Sequence, residues 1–218
     1  MLKKLYPYRF EVFLFSQIAI LFGSLIIPSA LFENMLSPIL FFINLLTGIV
    51  LVSEKKKLMW TLLVLMIISI LVFGTSLFEN KNDKLFNAIR MISYFLFYSI
   101  VSLEIIKQVW LAKIVNKNVI FGLVSGYVSL GLLGFFVCLS IEMVFPNSFQ
   151  GIIDGTSLTE GLMYYAYITL LTIGYGDILP VTAPAQKAAI LIGLVGQMYL
   201  VVITAIVVGK YINQSSQK

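Results

Sequence analysis

The run Thr172-Ile173-Gly174-Tyr175-Gly176-Asp177 is the part of this chain whose residue types and spacing suggest chemistry. Glycines alternate there with bulky side chains. Glycine reaches positive φ without a Cβ clash, so the alternation permits backbone torsions that other L-residues resist. A strand with that freedom at every second residue can turn successive carbonyls toward one side, while Ile173 and Tyr175 pack away from them. A row of carbonyl dipoles facing an axis can replace the hydration shell of a monovalent cation. Other chemistry is sparse. The chain has no histidine, which removes the commonest general base and metal ligand. Its single cysteine, Cys138, lies in an apolar segment, so no intrachain disulfide framework exists. Without histidine or clustered carboxylates no catalytic constellation is expected, and the chain does not read as an enzyme.

The elements that must position this run are apolar. Of 218 residues 60% are hydrophobic and only 11% charged, against about 25% charged in soluble domains. The fold class is therefore an all-α integral membrane protein. Spanning a hydrocarbon core takes roughly 20 apolar residues as helix. Six segments qualify: Val12–Phe32, Met35–Ser53, Leu58–Phe78, Leu85–Lys107, Val119–Phe145 and Pro184–Tyr211. In lipid each must satisfy its own backbone hydrogen bonds, so all six are expected as helices. Lys3, Lys4 and Arg9 ahead of the first segment resemble the start of a signal peptide. The apolar run is too long for one and lacks a convincing cleavage site, so a retained first helix is expected.

The long connection, Pro146 to Pro184, holds the run. Pro146–Thr156 is polar, contains Gly151 and Gly155, and reads as loop. Ser157-Leu158-Thr159-Glu160 has capping-box spacing, placing a helix start at Ser157. A helix from there to about Leu171 is too short to cross the membrane and suits a re-entrant pore helix. Its C-terminal end, partly negative, favours a cation nearby.

Orientation follows from charge. With both termini in the cytoplasm, eleven of the fifteen basic residues lie inside (Lys3, Lys4, Arg9, Lys55, Lys56, Lys57, Lys107, Lys113, Lys117, Lys210, Lys218). Seven of the ten acids (Glu33, Glu79, Asp83, Glu142, Asp154, Glu160, Asp177) then lie outside or at the outer boundary. A basic excess in short inner loops is the usual topology signal, so the net charge of +5 needs no nucleic-acid partner. Acids near the outer mouth would raise local cation concentration. The expected location is the cell membrane, multi-pass.

Segments one to four (residues 1–116) form a unit with the helix count of a voltage sensor but without its charges. Moving one charge through the membrane potential is worth about 2.3 kcal/mol per 100 mV. Only Arg90 lies in the body of segment four, where it reads as a snorkelling side chain, and segments two and three carry no interior acids. Glu104 and Lys107, three apart, are expected to pair. Lys107–Lys117, with Trp110 and Leu111, reads as an amphipathic linker touching lipid headgroups or coupling to residues 117–218. Gly122-x-x-x-Gly126, within a run of small residues in segment five, reads as close helix packing.

Together, the six-residue run, the short helix before it and the apolar segments flanking both resemble the pore of the potassium channel family over Val119–Tyr211. Ile173 stands where that family often has Val. The resemblance implies a homotetramer, since a ring of carbonyls takes four loops, and a pore domain over residues 117–218. It implies ion-binding filter residues Thr172, Ile173, Gly174, Tyr175 and Gly176, with K+ held by the carbonyls of the first four and the Thr172 hydroxyl. No cofactor is implied beyond K+ as permeant ion. Tyr165 is expected to brace Tyr175 or Asp177 from behind. Ile168 replaces a buried glutamate of some members, so an inactivation mechanism resting on that carboxylate is not expected. Gly196 matches the hinge of the pore-lining helix, with Gly193 one turn earlier, although close packing would also explain both. Gln197, Leu200, Thr204 and Val208 recur at three- and four-residue steps, share a face and would line a wet cavity. Tyr199 and Tyr211 read as packing or interfacial residues. The function implied is passive potassium conduction without strong voltage gating. A voltage-gated channel is the alternative within the class. A secondary transporter or scaffold is the alternative outside it, although the repeated halves of a transporter are absent.

Overall fold

Proline, glycine and short polar runs cut the apolar sequence into helices. The computed structural model describes residues 5–28, 31–78, 84–153 and 155–216, with the side chains of residues 33, 34, 72–78, 84–87 and 90 outside that description. Arg90, and with it the snorkelling expectation, therefore lies outside the described side chains. So do the topology charges Lys3, Lys4, Glu33, Glu79, Asp83, Asp154 and Lys218. The helices are α1 (Arg9–Phe22), α2 (Ser37–Val52), α3 (Lys56–Phe78), α4 (Lys84–Leu111), α5 (Lys117–Val144), α6 (Leu158–Leu170), α7 (Ala183–Met198) and α8 (Thr204–Ser215). Two-residue strands, β1 (Phe149–Gln150) and β2 (Leu179–Pro180), pair antiparallel around the loop that holds the six-residue run.

Four helical stretches among the described residues are long and apolar enough to cross a membrane: Tyr6–Leu25, Met91–Leu111, Lys117–Val144 and Ala183–Ser215. The first segment is shorter than the expected Val12–Phe32. After Phe22 the helix tightens into a 3-10 turn, Gly23–Leu25. Pro28 ends it, because proline disfavours helix in the residue before it. The Pro28 carbonyl instead accepts from Phe32 N at 3.0 Å. Phe32 thereby joins the second helix through a π turn, Phe32–Leu36. Segment four runs one turn beyond Lys107 to Leu111, so the expected linker is half helix. Asn116 then caps α5, its side chain accepting from Val119 N at 3.1 Å.

Helix α5 is the spine, packing on α1, α4, α6 and α7 of the same chain. Its small residues allow this. Gly122 faces Phe10 and Val109, and Gly131 faces the Tyr167 ring so closely that any side chain there would displace it. Ser102 and Ser129 hydrogen-bond across α4 and α5 at 2.8 Å. Beside them Tyr94 and Tyr98 both stack on Phe136 with centroids 5.2 Å away. A polar knot lies inside the first four helices. Tyr98 donates to Asn44 Oδ1 (2.6 Å), Asn44 Nδ2 donates to Ser16 Oγ (2.8 Å), and Ser16 meets Thr47 at 3.1 Å. Each such group left without a partner in a buried site costs about 1–3 kcal/mol, so the four act as one unit.

Candidate functional site

The site grows from the end of α6. The Ser157 side chain accepts from Glu160 N at 3.1 Å, an N-cap worth about 1 kcal/mol, and the helix runs thirteen residues to Leu170. The chain then reverses direction against its own helix. The Ile168 carbonyl accepts from both Ile173 N (2.9 Å) and Gly174 N (3.3 Å). Beyond this point φ alternates in sign: it is +57° at Thr172, +56° at Gly174 and +81° at Gly176, and not positive at Ile173 or Tyr175. In a regular strand successive carbonyls point opposite ways; alternation in handedness brings them to the same side. Thr172, a β-branched residue, shares the torsion that glycine adopts freely, so the pattern extends one residue past the glycines. Among the described residues no donor reaches the carbonyl oxygens of Thr172, Ile173, Gly174 or Tyr175. Both intervening side chains are open, Ile173 at 47% exposure and Tyr175 at 72%.

At the α7 side, the Thr172 hydroxyl donates to Leu171 O (2.7 Å) and accepts from Gln197 Nε2 (3.0 Å). Gln197, expected only as cavity wall, touches the run itself. Gly196 is buried, and its missing side chain leaves room for the Leu170 carbonyl, which a Cβ would strike. Close approach is thus a demonstrated role for Gly196. Gly193 is looser, since a Cβ added there would stand 3.8 Å from Thr169 O. Tyrosines fasten this layer to α5: Tyr127 to Leu170 O (3.1 Å), Tyr167 to Val128 O (2.6 Å) and Tyr199 to Leu123 O (2.7 Å). Gln197, Leu200 and Val208 are exposed and Thr204 is partly so. A π turn, Tyr199–Ile203, lies between them. Its extra residue shifts the helical phase, so the single face drawn from regular spacing does not run unbroken from Gln197 to Val208.

At the other end, Asp177 Oδ2 accepts from the Tyr164 hydroxyl at 2.7 Å, and this bond holds the carboxyl below its ordinary pKa. Tyr165, expected in that role, is instead buried and packs edge-on against Phe149 at 5.0 Å, which braces α6 against β1. The helix phase explains the difference, since adjacent residues point about 100° apart. Glu142, expected outside or at the outer boundary, accepts from the backbone N–H groups of Asn147 (2.6 Å), Ser148 (2.9 Å) and Phe149 (3.2 Å). The β1–β2 pairing and a bond from Val181 N to Ser148 O (2.9 Å) then tie the end of the run to this turn. Sequence reasoning missed Tyr164, Glu142 and the strands. A carboxylate shortly before Pro146-Asn147 was the available signal for the turn.

Residues 123–213 match the sequence model of a family described as "Ion channel". The match starts within α5, contains the run, and ends in α8. No curated protein and no solved structure matches the chain. The apolar helices make this a membrane protein, and the match supports an ion channel family and, with it, an ion channel function.

Proposed function

We propose that the chain is one subunit of a homotetrameric, potassium-selective channel, conducting passively through residues 172–176. The observation that carries this reading is the alternation of φ at Thr172, Gly174 and Gly176 beside carbonyls that no donor in the described chain engages. Oxygens so arranged suit a dehydrated cation better than any partner within one chain. K+ would be held by the carbonyls of Thr172, Ile173, Gly174 and Tyr175 and by the Thr172 hydroxyl. Four chains are needed, because one loop offers one side of a coordination shell. Irregular backbone at membrane depth is tolerated only where protein buries it or water meets it, and neighbouring subunits would supply the burial that Ile173 and Tyr175 lack here. The C-terminal end of α6 adds partial negative charge below the run. The charge asymmetry of the loops favours cytoplasmic termini in a cell membrane, with Asp177 at the outer mouth. Lipid is the surrounding partner and no nucleic acid is involved.

Liposomes containing the purified protein test the reading. Potassium should enter far faster than sodium, and equal rates would overturn it.

A further inference from the structure

Away from residues 172–177, α1, the end of α2, α4, the α4–α5 connection and the start of α5 line a recess of about 490 Å³. Arg9, Lys55, Lys107 and Lys113 line it with two carboxylates, Glu54 and Glu104, so cations outnumber anions four to two. Both carboxylates are already engaged. Lys55 Nζ reaches the two oxygens of buried Glu104 at 2.6 and 2.7 Å, and Gln108 adds a bond at 3.0 Å. This replaces the expected Glu104–Lys107 pair. Glu54 accepts from Tyr6 at 2.9 Å. Arg9 is fixed by bonds from Nε to Gln108 (3.0 Å) and from Nη1 to Tyr6 O (3.1 Å), and it lies over the Tyr6 and Phe10 rings. Its Nη2 is left without a partner among the described residues, and no carboxylate there pairs with Lys107 or Lys113. Leu111 and Ile114, each 64% exposed, form an apolar rim beside exposed Trp110.

We infer that this recess binds an anionic phospholipid through a phosphomonoester headgroup, with its acyl chains along Leu111, Ile114 and Trp110. A fixed guanidinium and two unpaired ammonium groups suit a compact, doubly charged phosphate. The apolar rim favours a lipid over a free anion, and an interfacial tryptophan fits that depth. The inference deepens the channel reading. The same connection is fastened to α8 by Lys210 on Ala112 O (2.9 Å) and by Gln214 on Val115 N (2.9 Å), so a bound lipid would touch a segment joined to the conducting half.

The test uses the full chain in phosphatidylcholine nanodiscs carrying a few mole per cent of fluorescent phosphatidic acid. Binding should saturate, and it should weaken about thirtyfold in the Lys107→Gln/Lys113→Gln variant, two surface charges being removed. The Lys56→Gln/Lys57→Gln variant removes equal charge from the same end outside the recess and should bind as the unaltered chain does. Equal weakening by both pairs, or by neither, overturns the inference. So does displacement of the lipid by inorganic phosphate at matched concentration. Flux is measured separately. Selective flux with no saturable lipid binding defeats this inference alone, and lipid binding without potassium selectivity defeats the channel reading alone.

Discussion

Replacing Gly174 by alanine isolates the torsional part of the conduction hypothesis. At Gly174 φ is +56°, and a Cβ built there meets no atom of the chain within 4 Å. No steric collision within the subunit therefore contributes, and the cost is that of placing an L-residue in a left-handed torsion, about 1–2 kcal/mol. In a fourfold filter the same substitution occurs in every subunit, so the ring would carry about 4–8 kcal/mol of strain. A tenfold change in an equilibrium corresponds to about 1.4 kcal/mol, so this strain matches three or more orders of magnitude in ion discrimination. The backbone should relieve it by rotating a peptide and withdrawing a carbonyl. Gly155 supplies a matched control: φ is +94°, again with nothing within 4 Å, in the polar turn away from the run. Reversal potentials in mixed potassium and sodium should show near-loss of discrimination for Gly174→Ala and none for Gly155→Ala, with both variants melting as assembled protein. Unchanged discrimination in Gly174→Ala would refute the carbonyl mechanism, and equal loss in both would show that strain anywhere suffices.

Other substitutions probe the groups around the run. Gln197→Leu removes the bond to the Thr172 hydroxyl, worth about 0.5–1.5 kcal/mol; single-channel conductance at low potassium should fall severalfold with selectivity kept, and an unaltered conductance would show the bond to be idle. Tyr164→Phe frees Asp177, whose carboxyl that bond holds low. A lowered pKa keeps the interaction intact above the ordinary carboxyl range, near 4, and loses it only as pH falls further, so the acid midpoint of potassium flux should move upward in the variant. Gly196→Ala places a methyl group against the Leu170 carbonyl and should destabilise the assembly by about 1–3 kcal/mol per subunit, whereas Gly193→Ala should melt normally; equal behaviour of the two would favour a shared hinge role over packing. Ser157→Ala should cost about 1 kcal/mol through loss of the cap on α6, read as a lower melting temperature.

Local rules carried most of what the sequence revealed. Ser157 had a capping signature three residues ahead of Glu160, and the helix does start there. Gly174 and Gly176 are the residues for which positive φ costs least, and both adopt it. What escaped depended on phase and on partners distant in sequence. Tyr164 and Tyr165 differ only in the direction they leave α6, and deciding which meets Asp177 requires the rotation of the helix against the loop. Glu104 has Lys107 one turn away yet meets Lys55, 49 positions earlier, because α2 and α4 converge at that end. The π turn at Tyr199–Ile203 leaves no compositional mark, since Tyr-Leu-Val-Val-Ile is as compatible with a regular helix. Thr172 ran against expectation: a β-branched residue resists φ of +57°, and its hydroxyl is fixed there by donating to Leu171 O and accepting from Gln197.

The supports of the run come from α6, α7 and the turn at β1. Ile168 holds it through backbone N–H groups, Gln197 through a side chain, Tyr164 through the Asp177 carboxylate, and β1 and Ser148 through the strand that follows. These contacts use the N–H groups and the side chains, and among the described residues no donor engages the carbonyls of residues 172–175, which lie in a stretch exposed on the single chain. On the channel reading proposed above, a loop tethered by its donors with its acceptors free would hold its oxygens in position before any ion arrives. The energy that strips water from the ion would then not also have to order the loop, which is what separates a pre-organised coordination shell from one assembled around its ligand.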